Sequence, residues 1–331
     1  MKLVLANDKL VGEVLANPIY TESGMLFLNK GNKISDNVIK RLKKMGVATL
    51  YIEDGNDEIT LQEALPAPIK LKTIKALKAL FEEIRKKEHI DEKKVIGIIN
   101  EIINNINLSE NATIINNLIQ NDELSQLAVH SLDVTILTLM VGSRKNYDND
   151  KLVRLCTAAL LHDIGRLFID EETHVKKAYE LLKRNPSIMS TTYMAVYNMY
   201  EREDGKGLFG VSGGKIHEFA KILGICNEYI DYVYNSKKEE AMLPHVAMER
   251  IAVDAMNRYG REIYMSFAKS VYCYPNGLQV KLNNGKIAVV TMQNKGVTTR
   301  PILVINSGDK FEFCNLIEEK NLTLFIEEVI I

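Results

Sequence analysis

The chain has 331 residues, too many for one ordinary domain, so two or three units are expected. Hydrophobic residues make up 46% and charged residues 26%, a globular balance with ample material for a core. A net charge of −1 without a long basic run speaks against a DNA or RNA partner, because a nucleic-acid footprint clusters Lys and Arg. Four cysteines (Cys156, Cys226, Cys273, Cys314) are scattered without a CxxC pair and read as reduced, buried thiols of a cytoplasmic protein. No run approaches the ~20 apolar residues of a membrane span, so none is expected.

Residues 1–55 read as a small α/β unit. Val11 to Tyr20 and Met25 to Leu28 have strand character, with Glu22-Ser-Gly24 as the turn between them. Ser35 or Asp36 caps a short helix through Met45, Gly46 stops it, and Val47 to Ile52 resumes as strand. Residues 56–71 carry Pro66 and Pro68 and read as a linker. From 72 to 270 the pattern is helical throughout, with Asn104, Asn105, Asn107, Asn111, Asn116 and Asn117 on an Asn/Ile-rich helix surface. Residues 271–331 return to strands: Leu278 to Leu282, an Asn283-Asn-Gly285 hairpin turn, Ile287 to Val290, Ile302 to Ile305 and Leu322 to Ile326. The expected fold is mainly α, a helical core flanked by a small N-terminal α/β domain and a small C-terminal β domain.

Chemistry concentrates in the helical part. Leu127, His130, Val134, Leu137 and Val141 recur at helical spacing, which turns His130 inward. The next helix begins near Asp150 and carries Leu152, Leu155 and Ala159 before His162-Asp163. An adjacent His and Asp at the inner end of a helix offer one nitrogen and one oxygen ligand, and the carboxylate can bridge two ions. A His-Asp pair alone is weak evidence. The apolar helix before it and Ile-Gly-Arg166 after it strengthen it.

On these residues the sequence resembles the HD superfamily of metal-dependent phosphohydrolases, and within it the HD-GYP branch, whose members hydrolyse cyclic di-GMP. His130-Ser131 matches the first family histidine. Ala159-Leu-Leu-His-Asp-Ile-Gly165 matches the name-giving motif. Glu201-Arg-Glu-Asp-Gly-Lys-Gly207 matches the segment that reads His-His-Glu-Arg, one residue, Asp-Gly-Ser-Gly-Tyr-Pro in the family. Ile216 to Glu228 matches a helix ending in a family ligand aspartate, and the flanking segments resemble ones often fused to this family.

The departures are informative. The family histidine before a proline is Asn185, the paired histidines are Met199 and Tyr200, and the ligand aspartate is Asn227. The Gly-Tyr-Pro triplet is Gly207-Leu208-Phe209, and the lysine after the His-Asp motif is Arg166. Two divalent ions bring four positive charges, and against them stand His130, His162 and Asp163 with one negative charge. A thioether is a poor ligand for such ions, and a phenol ligates well only after losing a proton of intrinsic pKa ~10. The expected cofactor is therefore none, or one weakly bound divalent metal (Fe, Mn or Mg) at His130, His162, Asp163 and Asn227. His174 and His217 read as solvated surface histidines, the alternative being substitute ligands that move into the site.

The glycine-rich stretch Asp204 to Lys215 fails the P-loop pattern, since Phe209 stands five residues before Gly214 and Ile216 follows Lys215. It reads as a flexible loop inherited from the family. Its functional alternative holds phosphate with Lys206, Lys215 and Arg166, the arginine gripping it bidentately without metal. Asn227 lies on the stripe Ile216, Ala220, Leu223, Asn227, Ile230, where a buried amide needs a partner, His162 or Asp163.

Three readings follow. In the first, a catalytically degenerate HD-GYP-like signalling protein acts as a cyclic di-GMP receptor or protein-interaction module. The second is an active cyclic di-GMP phosphodiesterase with a one-metal site. The third is an interaction protein that binds no nucleotide. The expected partners are cyclic di-GMP, a protein partner and a second copy in a homodimer.

Overall fold

The computed structural model describes residues 1–330 apart from 22–24, 46, 48, 55–63, 108–117, 120–121, 170–172, 235–240 and 308–309. The architecture is mainly helical, with short strands before the helices and a five-stranded sheet after them.

At the N-terminal end, β1 (Lys2–Leu5) pairs antiparallel with β4 (Thr49–Ile52), and β2 (Ile19–Thr21) with β3 (Leu26–Leu28). The strand expected from Val11 is shorter than its apolar content suggests, because Gly12 at φ +99° turns the chain. β1 escaped the sequence pattern, since four residues give too short an alternation. Helix α1 (Asp36–Lys44) starts where expected, with Ser35 Oγ accepting from Val38 N at 3.3 Å. The expected turn at Glu22–Gly24 and the stop at Gly46 lie outside the described residues.

The stretch read as a linker contains the start of a helix. α2 (Ala67–Lys87) opens with Pro68 in its first turn, where a missing N–H removes no helical bond. α3 (Glu92–Asn105) takes in Asn104 and Asn105, whereas Asn107 lies beyond its end and Asn111, Asn116 and Asn117 fall outside the described residues. The helical run is also interrupted by β5 (Leu118–Ile119), which adds to β2 in parallel.

α4 (Glu123–Arg144) is the central helix, packed against α2, α5 (Asn149–Leu161) and α8 (Glu218–Tyr234). Among the described residues it is the one helix long and apolar enough to cross a membrane, with a mean hydropathy of 1.5. That stretch is 83% buried by its neighbours, so its apolarity serves the core. After α5 come a 3-10 turn (Ile164–Leu167), α6 (His174–Lys183), α7 (Ser190–Tyr197), and then α9 (Pro244–Ala252), α10 (Ala255–Arg258) and α11 (Arg261–Ala268).

The C-terminal sheet runs β10-β6-β7-β8-β9, all antiparallel. Its strands are β6 (Gln279–Leu282), β7 (Ile287–Met292), β8 (Ile302–Ser307), β9 (Lys310–Asn315) and β10 (Ile326–Ile330). The strand expected at Leu322–Ile326 begins only at Ile326, because a 3-10 turn at Glu319–Asn321 precedes it and Leu324 N closes onto Asn321 O at 2.9 Å. Leu3, Ala16 and Tyr51 share one apolar cluster with Leu278, Val280 and Leu303. Tyr51 Oη donates to Asn276 O at 3.1 Å, so the two ends of the chain are sewn together. All four cysteines are buried and unbridged, as expected.

One glycine sets the approach of α6 to the end of α5. A Cβ on Gly165 would lie 1.9 Å from the carbonyl oxygen of His174, a backbone atom that cannot swing aside. Gly97, exposed on α3, has nothing within 4 Å of its Cβ position. Gly165→Ala is expected to destabilise by about 2 kcal/mol or more, and Gly97→Ala to stabilise by about 0.5–1 kcal/mol. Urea midpoints of the two variants against wild type check this. A neutral Gly165→Ala would mean that α6 packs less closely than described.

Candidate metal centre

Three elements bring the donors together. His130 projects from α4, His162 is the C-cap residue of α5, and Asn227 sits midway along α8. Asp163 begins the 3-10 turn, whose first closure is Arg166 N to Asp163 O at 2.9 Å. Asp148 starts α5 by accepting from Lys151 N, which fixes where the helix ends and so where His162 points. The stripe Ile216, Ala220, Leu223, Asn227, Ile230 is buried throughout, as its spacing predicts.

The geometry around His162 is that of converging lone pairs. Its Nδ1 lies 2.7 Å from Ala159 O, a carbonyl that can only accept, so the proton is on Nδ1. Nε2 then presents a lone pair, 2.9 Å from Asn227 Oδ1 and 3.3 Å from His130 Nε2. His130 Nε2 is also 2.9 Å from Asn227 Oδ1. Asn227 Nδ2 donates to Asp231 Oδ2 at 3.3 Å, which turns the amide oxygen toward the imidazoles. Burial pushes the His162 pKa down, although the Asp163 charge opposes it, and the neutral ring is the ligating form.

Asp163 is 5% exposed and held from several sides. Arg166 Nε donates to Oδ2 at 2.8 Å, and His174 Nε2 lies 2.8 Å from Oδ1. Its oxygens are 3.6 Å from His162 Nε2 and 3.8 Å from His130 Nε2. Burial alone would raise this carboxyl's pKa. The neighbouring His162, His174, Arg166 and His130 side chains outweigh burial and hold it well below the usual carboxylate range. Asp163 is thus a carboxylate at any working pH.

These donors suit one divalent ion. The ligand atoms of His130, His162 and Asp163 all lie within 4.8 Å of one another, and Asn227 Oδ1 completes the set. Metal–ligand bonds of ~2.1 Å in an octahedral shell put neighbouring donors about 3 Å apart, close to the spacings of the two imidazoles and the amide. Two imidazoles with one carboxylate favour Fe(II) or a similar first-row ion over Mg, which prefers oxygen. Met199 is 2% exposed within the apolar core, and burial beside Asp163 keeps the Tyr200 phenol protonated. Asn185 is a turn residue, its Nδ2 donating to Ile90 O at 3.1 Å and its Oδ1 accepting from Ser187 N.

Two expectations need correction. His174 is not a solvated histidine but fully buried against Asp163, with Tyr200 edge-on at 6.0 Å. The signal was present in the stripe His174, Ala178, Leu181, Leu182 at helical spacing, all buried. His217 is exposed, as expected. The second correction concerns phosphate. Arg166 is bound to Asp163 and Tyr200, and the loop N–H groups of Phe209 and Val211 donate to the buried Glu201 carboxylate at 2.6 and 2.8 Å. The loop therefore wraps an internal anion. Lys206 and Lys215 stand exposed on it, and no bond ties them to His162 or Asp163 among the described residues.

Asn227→Asp would add the negative charge that the donor set lacks. Titration calorimetry with Mn(II) should show affinity rising by about tenfold or more. The chelated variant should be less stable than wild type, because the new carboxylate faces Asp231. Chelated wild type should also lose stability on acidification. Below the ordinary histidine value of 6.5 the unfolded chain binds a proton that folded His162 refuses, so stability is flat above pH 6.5 and falls beneath it. His162→Gln should reduce that slope without abolishing it, because His245 is also lowered by burial. An unchanged slope would remove His162 from the account.

Comparison with known proteins agrees with this geometry. Residues 127–241, which hold His130, His162, Asp163, His174 and Asn227, match the HD domain family. The chain is 25% identical over 179 residues to the cyclic di-GMP phosphodiesterase PdeB of Borreliella burgdorferi, covering 49% of this chain and 47% of that protein. It is 24% identical over 240 residues to the cyclic di-GMP phosphodiesterase PA4108 of Pseudomonas aeruginosa, covering 66% and 57%. The chain thus spans about half the length of the curated relatives it matches. A solved structure, the HDG"Y"P protein Bd1817 from Bdellovibrio bacteriovorus, aligns with a TM-score of 0.46 at 13% identity, over 80% of this chain and 98% of that one. Residues 127–241 thus carry an HD domain with its His-Asp pair in place, and the chain is similar to proteins of the HD-GYP type.

Proposed function

We propose that this chain is a cyclic di-GMP receptor of the HD-GYP type whose centre holds at most one divalent ion and does not cut the dinucleotide. The nucleotide is taken from the relatives, which are named as cyclic di-GMP phosphodiesterases. The observation that supports the reading is the counter-charge built in at Asp163, where Arg166 Nε donates to Oδ2 at 2.8 Å and His174 Nε2 lies 2.8 Å from Oδ1 without a hydrogen-bonding alignment. A carboxylate that bridges two ions must give one oxygen to each, and here Oδ2 already carries the Arg166 guanidinium, which leaves Oδ1 for a single ion.

A divalent ion at His130, His162, Asp163 and Asn227 would lower the pKa of a bound water and draw charge from a phosphoryl oxygen. The chain's residues do less than that. Arg166 places one fixed positive charge beside the pocket, His174 and Tyr200 shield the far side of Asp163, and none of them is a nucleophile. Such a receptor acts in the cytoplasm and passes its bound state to a protein partner. A second reading, hydrolysis with one ion, is favoured by the convergence of His130, His162 and Asn227 within 3.3 Å.

The two readings separate in one experiment. Purified protein is incubated anaerobically with cyclic di-GMP and Fe(II) or Mn(II), products are followed by chromatography, and metal is counted in the same sample. The receptor reading expects one ion per chain or fewer, saturable binding and no product above the blank. Turnover that disappears in the His162→Ala, Asp163→Ala double variant would establish the one-ion enzyme instead. A triple variant, Met199→His, Tyr200→His, Asn227→Asp, should raise the metal count toward two. A count of two in wild type would sink the argument from Asp163.

A further inference from the structure

Beside the metal centre lies a row of half-buried rings that the HD motif does not use. On α6, Lys176, Tyr179 and Lys183 recur at i, i+3 and i+7, so they share one face. Tyr193 and Tyr197 stand one turn apart on α7. Their rings interleave: Tyr193 on Tyr179 at 5.6 Å, Tyr179 on Tyr197 at 4.8 Å, and Tyr197 on Phe209 at 4.4 Å. The last pair is parallel within 10°. Phe209 belongs to the loop latched by Glu201, and its backbone N–H is one of the two latching donors. The row is therefore tied at one end to the residue next to Tyr200, and it rises from the helix that begins at His174.

Its terminal ring is open to a ligand in a specific way. Tyr197 is stacked on Phe209, and the ammonium of exposed Lys176 lies over the same ring, 5.2 Å from its centre. A cation over an exposed ring is held weakly, whereas a base stacks on such a face more strongly. Lys177 is paired with Glu88 at 2.9 Å, and Arg184 approaches the same carboxylate at 3.5 Å. Lys176 and Lys183 pair with no carboxylate among the described residues, and Lys183 Nζ meets the Tyr179 hydroxyl at 2.9 Å. A half-buried aromatic face with a displaceable ammonium on it matches a planar base carrying phosphate.

We infer that the Phe209–Tyr197–Tyr179 row is a stacking platform for the purine base of an anionic nucleotide, with Lys176 and Lys183 meeting its phosphate. The base replaces the Lys176 ammonium over the Phe209 ring, and the ammonium swings onto the phosphate. This deepens the receptor reading, and the use of cyclic di-GMP as a probe rests on it.

The test uses the full chain and two probes, cyclic di-GMP and guanosine 5′-monophosphate, titrated by calorimetry. Phe209→Leu keeps an apolar side chain in the loop and removes the stacking face. Lys176→Gln removes the charge. Each should weaken wild-type binding of either probe by about tenfold, and the pair by more. Circular dichroism and the urea midpoint check that both variants stay folded. If wild type binds cyclic di-GMP and both variants keep its affinity, the platform is wrong and the receptor reading stands. If wild type binds guanosine 5′-monophosphate in a Phe209-dependent way but not cyclic di-GMP, the platform stands and the receptor reading falls. Saturable binding of neither probe overturns both.

Discussion

The buried carboxylate of Asp163 is the constraint around which this protein is arranged. Taking an ionised carboxylate out of water costs several kcal/mol, and the chain offsets this with donors from two directions. Arg166 comes from the same 3-10 turn, three residues on, and His174 from the first turn of α6. For His174 to reach, α6 must begin against the turn, and Gly165 leaves that space open. Removing one partner from such a buried ion cluster costs roughly 3–5 kcal/mol, so the arrangement of α5, the turn and α6 stands or falls as one unit.

The other half of the centre depends on it less. His130 and Asn227 come from α4 and α8, long helices packed together along their apolar faces, and their positions follow from that packing. The amide of Asn227 is oriented from behind by Asp231, and the imidazole of His162 by Ala159 O. Supports of this kind aim a donor whether or not an ion is bound.

Much of this was readable from residue order. His130, His162 and Asn227 each sit on a stripe of period 3.6, and burial follows that period. The pairing of Asn227 with His162 followed from the cost of an unsatisfied buried amide. What escaped had a physical cause in each case. His174 stands among Glu and Lys residues, so its charged neighbours masked the inward stripe it begins. Pro66 and Pro68 looked like a linker because proline breaks helices, yet it also opens them, as it does for α2. Arg166 looked free to grip phosphate because its nearest carboxylate, Asp163, had already been given to a metal. β9 was overlooked because Phe311 and Phe313 alternate with charged residues over too short a span, and pairing with β8 completes it.

A guanidinium in this position also explains why binding and cutting part company in the proposed receptor. Arg166 gives Asp163 a permanent counter-charge that no chelator removes and no change in metal supply alters. In a phosphodiesterase centre a bridging ion does two things, neutralising charge and holding a water as hydroxide. A guanidinium does the first in part, with one charge in place of two. It cannot do the second, because it never deprotonates under working conditions and has no vacant coordination position. A pocket built this way keeps its shape and much of its attraction for a phosphodiester while lacking the second ion's share of the nucleophile. In the proposed receptor, the aromatic row on α6 and α7 would supply by stacking the affinity that a second ion would otherwise contribute.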